Sequence, residues 1–94
     1  MPDRRDIYIR EIRELAKRFR PEEIDSCIAQ QIETGENVCD VTGSTERVID
    51  ELAKALFVRN LMENGTPLSE AVRELARRIR LVQRGFEQDA PGVR

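Results

Sequence analysis

The chain has 94 residues, of which 36% are charged and 4% aromatic, and its formal net charge is −2. This length holds one hydrophobic core and leaves no room for a second. A charge so close to zero gives no general attraction to nucleic acid or to a membrane surface. The longest purely apolar run, 55–58, is far shorter than a membrane span.

The residue types also limit the chemistry. There is no histidine, and the two cysteines, Cys27 and Cys39, are too few for a disulfide framework. A structural zinc site needs four ligands, usually Cys or His, and a general base at neutral pH is most often His. We therefore expect no metal, no cofactor and no enzymatic activity.

Hydrophobic periodicity predicts an all-α domain of four helices, at about 4–19, 21–34, 44–64 and 66–84. Pro21 cannot continue the first helix but suits the first position of the second, and Gly35 is the expected end of that helix. On the second helix the apolar face is predicted to consist of Ile24, Cys27, Ile28 and Ile32.

The third and fourth helices have their own start and stop signals. Ser44 is the expected N-cap of the third helix, and Thr66-Pro67 opens the fourth. Gly85 is predicted to end the fourth helix, with Phe86 packing against Leu81. We accordingly expect a single helical domain at 1–86 and a flexible tail at 87–94.

The segment TGENVCDVTGST, residues 34–45, lies between the second and third helices. It lacks the lysine of a phosphate-binding loop and the ligand spacing of a calcium loop. The sequence favours a simple connection in which Val38 and Val41 contact the core.

The two cysteines are too far apart in sequence for CxxC chemistry, although the loop could bring them together. The N-terminal sequence, MPDRRDIYIR, contains no apolar segment of a secretory signal, which predicts a cytoplasmic protein. Because cytosolic thiols are kept reduced, we expect both cysteines to be reduced, with Cys39 more accessible than Cys27.

The third helix has an unusual distribution of apolar residues. Those in its first half share one face, whereas those in its second half point more than about 120° further round the helix. Either this helix is central and contacts the other three, or its apolar surface exceeds what a monomer covers and binds a second copy. The candidate interface residues are Phe57, Val58, Leu61 and Met62.

Charge is distributed unevenly along the chain, with net values of +3 at 1–20, −7 at 21–66 and +2 at 67–94. Basic stripes occur on the first and fourth helices; the candidate anion-binding residues are Arg73, Arg77, Arg80 and Arg84. Such a stripe is typical of a solvated helix face, with phosphate binding as the functional alternative.

These observations predict a small non-enzymatic protein-interaction or regulatory module that self-associates as a homodimer or binds another protein. The alternative is a binder of phosphate groups or nucleic acid that uses the arginine stripes. We expect neither nucleic-acid binding nor membrane association as the main role, because the net charge is slightly negative and no apolar span is present.

Overall fold

A computed structural model describes the backbone of residues 4–88 and the side chains of residues 9–81. Over this range the chain forms four α-helices and no strand: α1 (Arg4–Arg18), α2 (Pro21–Thr34), α3 (Thr45–Glu63) and α4 (Leu68–Gln88). The predicted fold class is confirmed. None of the helices in the described range combines the length and the hydrophobicity that crossing a bilayer requires.

The helix boundaries follow the local signals in the sequence. Pro21 occupies the start of α2, and the backbone N–H of Arg20 donates to Glu23 Oε1 at 2.8 Å. Gly35 closes α2 in the left-handed region, at φ 80°, where a side chain would be strained. Ser44 caps α3, because its Oγ accepts a hydrogen bond from the backbone N–H of Arg47.

α4 begins at Leu68 and runs beyond its predicted end. Gly85 lies inside the helix, which continues to Gln88. A glycine in a helix interior costs about 1 kcal/mol relative to alanine, which weakens a helix without ending it. The Phe86 side chain and residues 89–94 of the predicted tail lie outside the described part of the chain.

α3 lies at the centre of the fold and contacts α1, α2 and α4, whereas α4 contacts chiefly α3 and only to a small extent α1. Arg59 of α3 donates from Nη1 to the carbonyl oxygen of Ala16 at 3.0 Å, which satisfies an open carbonyl near the end of α1. The apolar side chains that are almost completely buried come from all four helices and the α2–α3 loop: Ile12, Leu15, Ala16, Ile24, Cys27, Cys39, Val48, Leu52, Ala55, Val58, Ala71 and Leu75.

Two residues near the α2–α3 loop were predicted to be part of the core or to contact it, and this prediction is wrong. Ile32 is 65% exposed and Val38 is 76% exposed. In α2 the buried position falls on Gln31, one helical turn after Cys27, because the face that meets α3 is rotated slightly from the one predicted. Val41 does contact the core, as expected.

The α2–α3 loop is organised by the amide of Asn37. Its Oδ1 accepts from the backbone N–H groups of Cys39 and Val41, and its Nδ2 donates to the carbonyl oxygen of Val41. Nδ2 also donates to Gln31 Oε1, while Gln31 Nε2 donates to the hydroxyl of Thr45. One amide therefore holds the loop closed and connects it to the buried Gln31 of α2.

Replacing Asn37 with alanine should destabilise the protein by about 1–3 kcal/mol, because part-buried backbone groups and Gln31 lose their hydrogen-bond partners. The free energy of unfolding from a denaturant titration measures this effect. Thr42→Ala, an exposed change in the same loop, is the control and should leave stability almost unchanged. Equal effects of the two changes would contradict the role of Asn37.

Candidate functional site

The four candidate interface residues differ in how far the chain itself buries them. Val58 is fully buried, whereas Phe57, Leu61 and Met62 are half-buried and contact the core. The guanidinium carbon of Arg78 lies 5.7 Å from the centroid of the Phe57 ring, which places Phe57 beside α4. The later apolar residues of α3 therefore contribute to the contact with α4 and are only partly covered by it.

The apolar side chains of α4 are also only partly buried by the rest of the chain. Ala71 and Leu75 are buried, whereas Leu68, Val72 and Ile79 remain half-buried. We refer to the six half-buried side chains at this helix pair as the α3–α4 apolar residues: Phe57, Leu61, Met62, Leu68, Val72 and Ile79. A group of partly exposed apolar side chains on neighbouring helices can form a protein–protein contact.

The candidate anion-binding arginines lie on the surface of α4. Arg73, Arg77 and Arg80 are exposed, and the side chain of Arg84 lies outside the described range. Arg77 donates from Nε and Nη2 to the two carboxylate oxygens of Glu74. These hydrogen bonds lower the pKa of Glu74 and raise that of Arg77, so Arg77 is already engaged with an anion.

The cysteines are joined, contrary to the expectation of two reduced thiols. A Cys27–Cys39 disulfide links α2 to the loop, with the two Cα atoms 6.2 Å apart. The expected difference in accessibility is also very small. Cys27 is 1% and Cys39 3% exposed, so both cysteines are buried. The Asn37 hydrogen bonds turn the loop so that Cys39 points inward and Val38 outward.

A groove of about 760 Å³ lies between α1, α3 and the loop. We call it the Glu51 groove; along it lie Glu11 and Leu15 of α1, Cys39, Val41 and Gly43 of the loop, and Arg47 and Glu51 of α3. Glu51 is only 3% exposed. Its burial, together with the hydrogen bond and negative charge of Glu11, raises the pKa of Glu51 from 4.5 to about 8, although Arg47 opposes the shift.

The raised pKa of Glu51 favours the protonated form of its carboxyl, which can share a proton with the neighbouring Glu11. A neutral carboxylic acid in a groove can donate a hydrogen bond or a proton to a bound group. Charged side chains of both signs surround it: Arg10, Arg18 and Arg47 together with Glu14 and Asp40 also line the groove.

The sequence did contain a signal for Glu51. It lies three residues after Val48 and four before Ala55. Helical periodicity therefore places Glu51 on the same buried face of α3 as these two residues. The same spacing places Gln31 four residues after the buried Cys27, on the buried face of α2. Helical periodicity followed through apolar residue types alone predicts burial of neither residue.

No cluster of three or more side chains able to ligate a metal occurs among the described residues. Comparison with protein-family models, with curated proteins and with solved structures finds no match to the chain. The functional argument therefore depends on the arrangement of the side chains alone.

Replacing Glu51 with glutamine should change how stability depends on pH. The folded protein holds the Glu51 proton more tightly than the unfolded chain, so stability is fully present below pH 4.5 and is lost as the pH rises towards about 8. The loss is on the order of a few kcal/mol. Glu51→Gln removes this loss, and should therefore match the wild type near pH 5 and exceed it in stability at pH 9.

Denaturant titrations at several pH values measure this difference. Glu33→Gln, an exposed change on α2, is the matched control and should leave the pH dependence of the wild type intact. A wild-type protein and a Glu51→Gln variant with parallel stability curves would contradict the shifted pKa of Glu51.

Replacing both Arg77 and Arg80 with glutamine tests whether the arginine stripe binds phosphate groups. Both side chains are exposed, and exposed ion pairs contribute little, so we expect the melting temperature to fall by only a few degrees at most. We also expect no tight binding of duplex DNA by either protein at physiological salt. Tight, salt-dependent binding by the wild type that weakens in the double variant would instead support the phosphate-binding alternative.

Proposed function

We propose that this protein is a small non-enzymatic interaction module that self-associates through the α3–α4 apolar residues. The observation that carries the proposal is the incomplete cover of α4, which contacts chiefly α3 although its apolar stripe extends over several turns. Its three members Leu68, Val72 and Ile79 are half-buried and would gain further burial from a second copy.

The size of the surface fits this role. α3 and α4 have 19 and 21 residues, so each helix is about 30 Å long at 1.5 Å per residue. Two neighbouring helices about 8–10 Å apart present a face of roughly 600 Å². A stable interface buries about 800 Å² per partner, so this helix pair supplies most of the required area.

We also propose a cytoplasmic location. The cysteine count is below that of disulfide-framework domains, which supports the proposal. The Cys27–Cys39 disulfide restricts it, because disulfides that form in the cytosol are usually transient and serve catalysis or redox sensing. Fractionation of the native cell, followed by detection of this chain, tests the location directly.

Self-association is tested by light scattering over a range of concentrations. We expect a homodimer mass at micromolar concentration for the wild type and a monomer mass for Met62→Lys, because a lysine at a half-buried position places a charge in the proposed contact. Leu81→Lys is the matched control. Leu81 is 48% exposed and lies on α4 away from the apolar stripe, so this variant should remain dimeric.

Circular dichroism shows whether each variant retains its helices, which separates loss of the dimer from loss of the fold. A wild-type protein that keeps a monomer mass at high concentration would contradict the proposal. α3 would then serve only as the central helix of a monomer.

A further inference from the structure

The Cys27–Cys39 disulfide connects a helix to the longest loop of the described chain. Cys27 lies on the buried face of α2, and Cys39 lies in the middle of the loop at 35–44. The residue after it, Asp40, has a φ of 63°, in the left-handed region that a residue with a side chain adopts at some cost. The disulfide is thus attached to a loop whose shape is defined by the Asn37 hydrogen bonds.

Both cysteines line a shallow surface depression of about 230 Å³, although each is nearly fully buried. We call it the cysteine groove; it is lined by Phe19, Glu22, Glu23, Ser26, Cys27, Val38 and Cys39. Cys39 also lines the Glu51 groove on its other side. Cys39 therefore lines both surface grooves, and its neighbour Val38, which is 76% exposed, also lines the cysteine groove.

We propose that Cys27–Cys39 is a thiol–disulfide exchange site at which a dithiol reductant opens the disulfide and frees the loop from α2. This inference does not depend on self-association. The site is reached through the cysteine groove, and the loop that it releases forms one wall of the Glu51 groove.

The exchange proceeds in two steps. A thiolate of the dithiol attacks Sγ of Cys39 and forms a mixed disulfide; the Cys27–Cys39 bond breaks, and Cys27 leaves as a thiolate that takes up a proton. The second thiol of the reductant, deprotonated, then attacks its partner sulfur in the mixed disulfide and releases Cys39, which is protonated in turn. The reductant becomes a disulfide, and two electrons and two protons pass to the cysteines.

Reduction leaves the loop with weaker attachments to α2. Hydrogen bonds still join the loop to α2: from Asn37 Nδ2 to Gln31 Oε1, from the backbone N–H of Val38 to Gln30 Oε1, and between the Thr34 hydroxyl and the backbone of Glu36. The bonds between Asn37 and the backbone of Cys39 and Val41 lie within the loop and keep its shape. The loop therefore moves as a unit, and it takes with it the wall of the Glu51 groove.

The first test measures how fast dithiothreitol reduces the native, oxidised protein, with alkylation and mass spectrometry as the readout. We expect a rate within about 100-fold of the rate in denaturant, because only local opening is required. A route through global unfolding would slow the reaction by about 10³-fold or more, the usual range of unfolding equilibria. That result would overturn the proposal and make the disulfide purely structural.

The second test locates the attack. Glu22 and Glu23 place negative charge at the cysteine groove, which slows an anionic thiolate such as that of glutathione. Glu22→Gln should speed reduction by glutathione about two- to threefold at low salt, and added salt should remove the difference. Glu33→Gln, on the same helix but outside the groove, is the control; equal rates for the two variants would overturn the assignment of this groove.

The third test follows the loop by hydrogen exchange in oxidised and reduced wild-type protein. We expect the amides of Cys39 and Val41 to exchange at least about tenfold faster after reduction, whereas those of α4 stay unchanged. The Cys27→Ser/Cys39→Ser double variant should reproduce the reduced state. Identical exchange in both redox states would overturn the release of the loop, and circular dichroism of the reduced wild type separates that release from unfolding.

Discussion

The fold depends on one constraint, which is that α3 has apolar residues on two sides and needs cover on both. α1 and α2 bury one side through Val48, Leu52 and Ala55, and α4 meets the other through the region of Phe57. Because α3 is the only described helix with extensive contacts to all three others, the rest of the chain is arranged around it. Arg59 strengthens the arrangement, since one guanidinium reaches both the Ala16 carbonyl of α1 and the Glu63 carboxylate of α3.

This constraint also explains why the two sides of the molecule differ. α1 and α2 both lie against α3, and the disulfide and the Asn37 hydrogen bonds close that side at the loop. α4 has mainly one neighbour, so its apolar stripe is covered less completely. The covalently closed side holds the buried polar groups Gln31 and Glu51, and the open side holds the α3–α4 apolar residues.

Much of this fold could be predicted from the sequence, because local signals determine helix ends. Pro21, Gly35 and Ser44 act at the expected boundaries through backbone geometry and capping. Other features could not be read locally. The burial of Gln31 and Glu51 depends on which face of each helix meets a neighbour, and a residue-type rule assigns both to solvent. The joining of Cys27 and Cys39 depends on the turn that Asn37 imposes on the loop, which only the three-dimensional hydrogen-bond pattern reveals.

The candidate sites also differ in whether they could be predicted from local sequence. Helical periodicity predicts Phe57, Leu61 and Met62 as interface residues, because they point in a different direction from the apolar residues in the first half of α3. Their place in an interface stays a prediction. The sequence did not identify the Glu51 groove, whose wall comes from a loop and whose floor comes from α1 and α3. Such a groove exists only once those segments meet, so its chemistry depends on tertiary structure. The disulfide joins that loop to α2, and the loop lines the groove beside Glu51. The proposed release of the loop would therefore expose the Glu51 carboxyl to water, and water favours its ionised form.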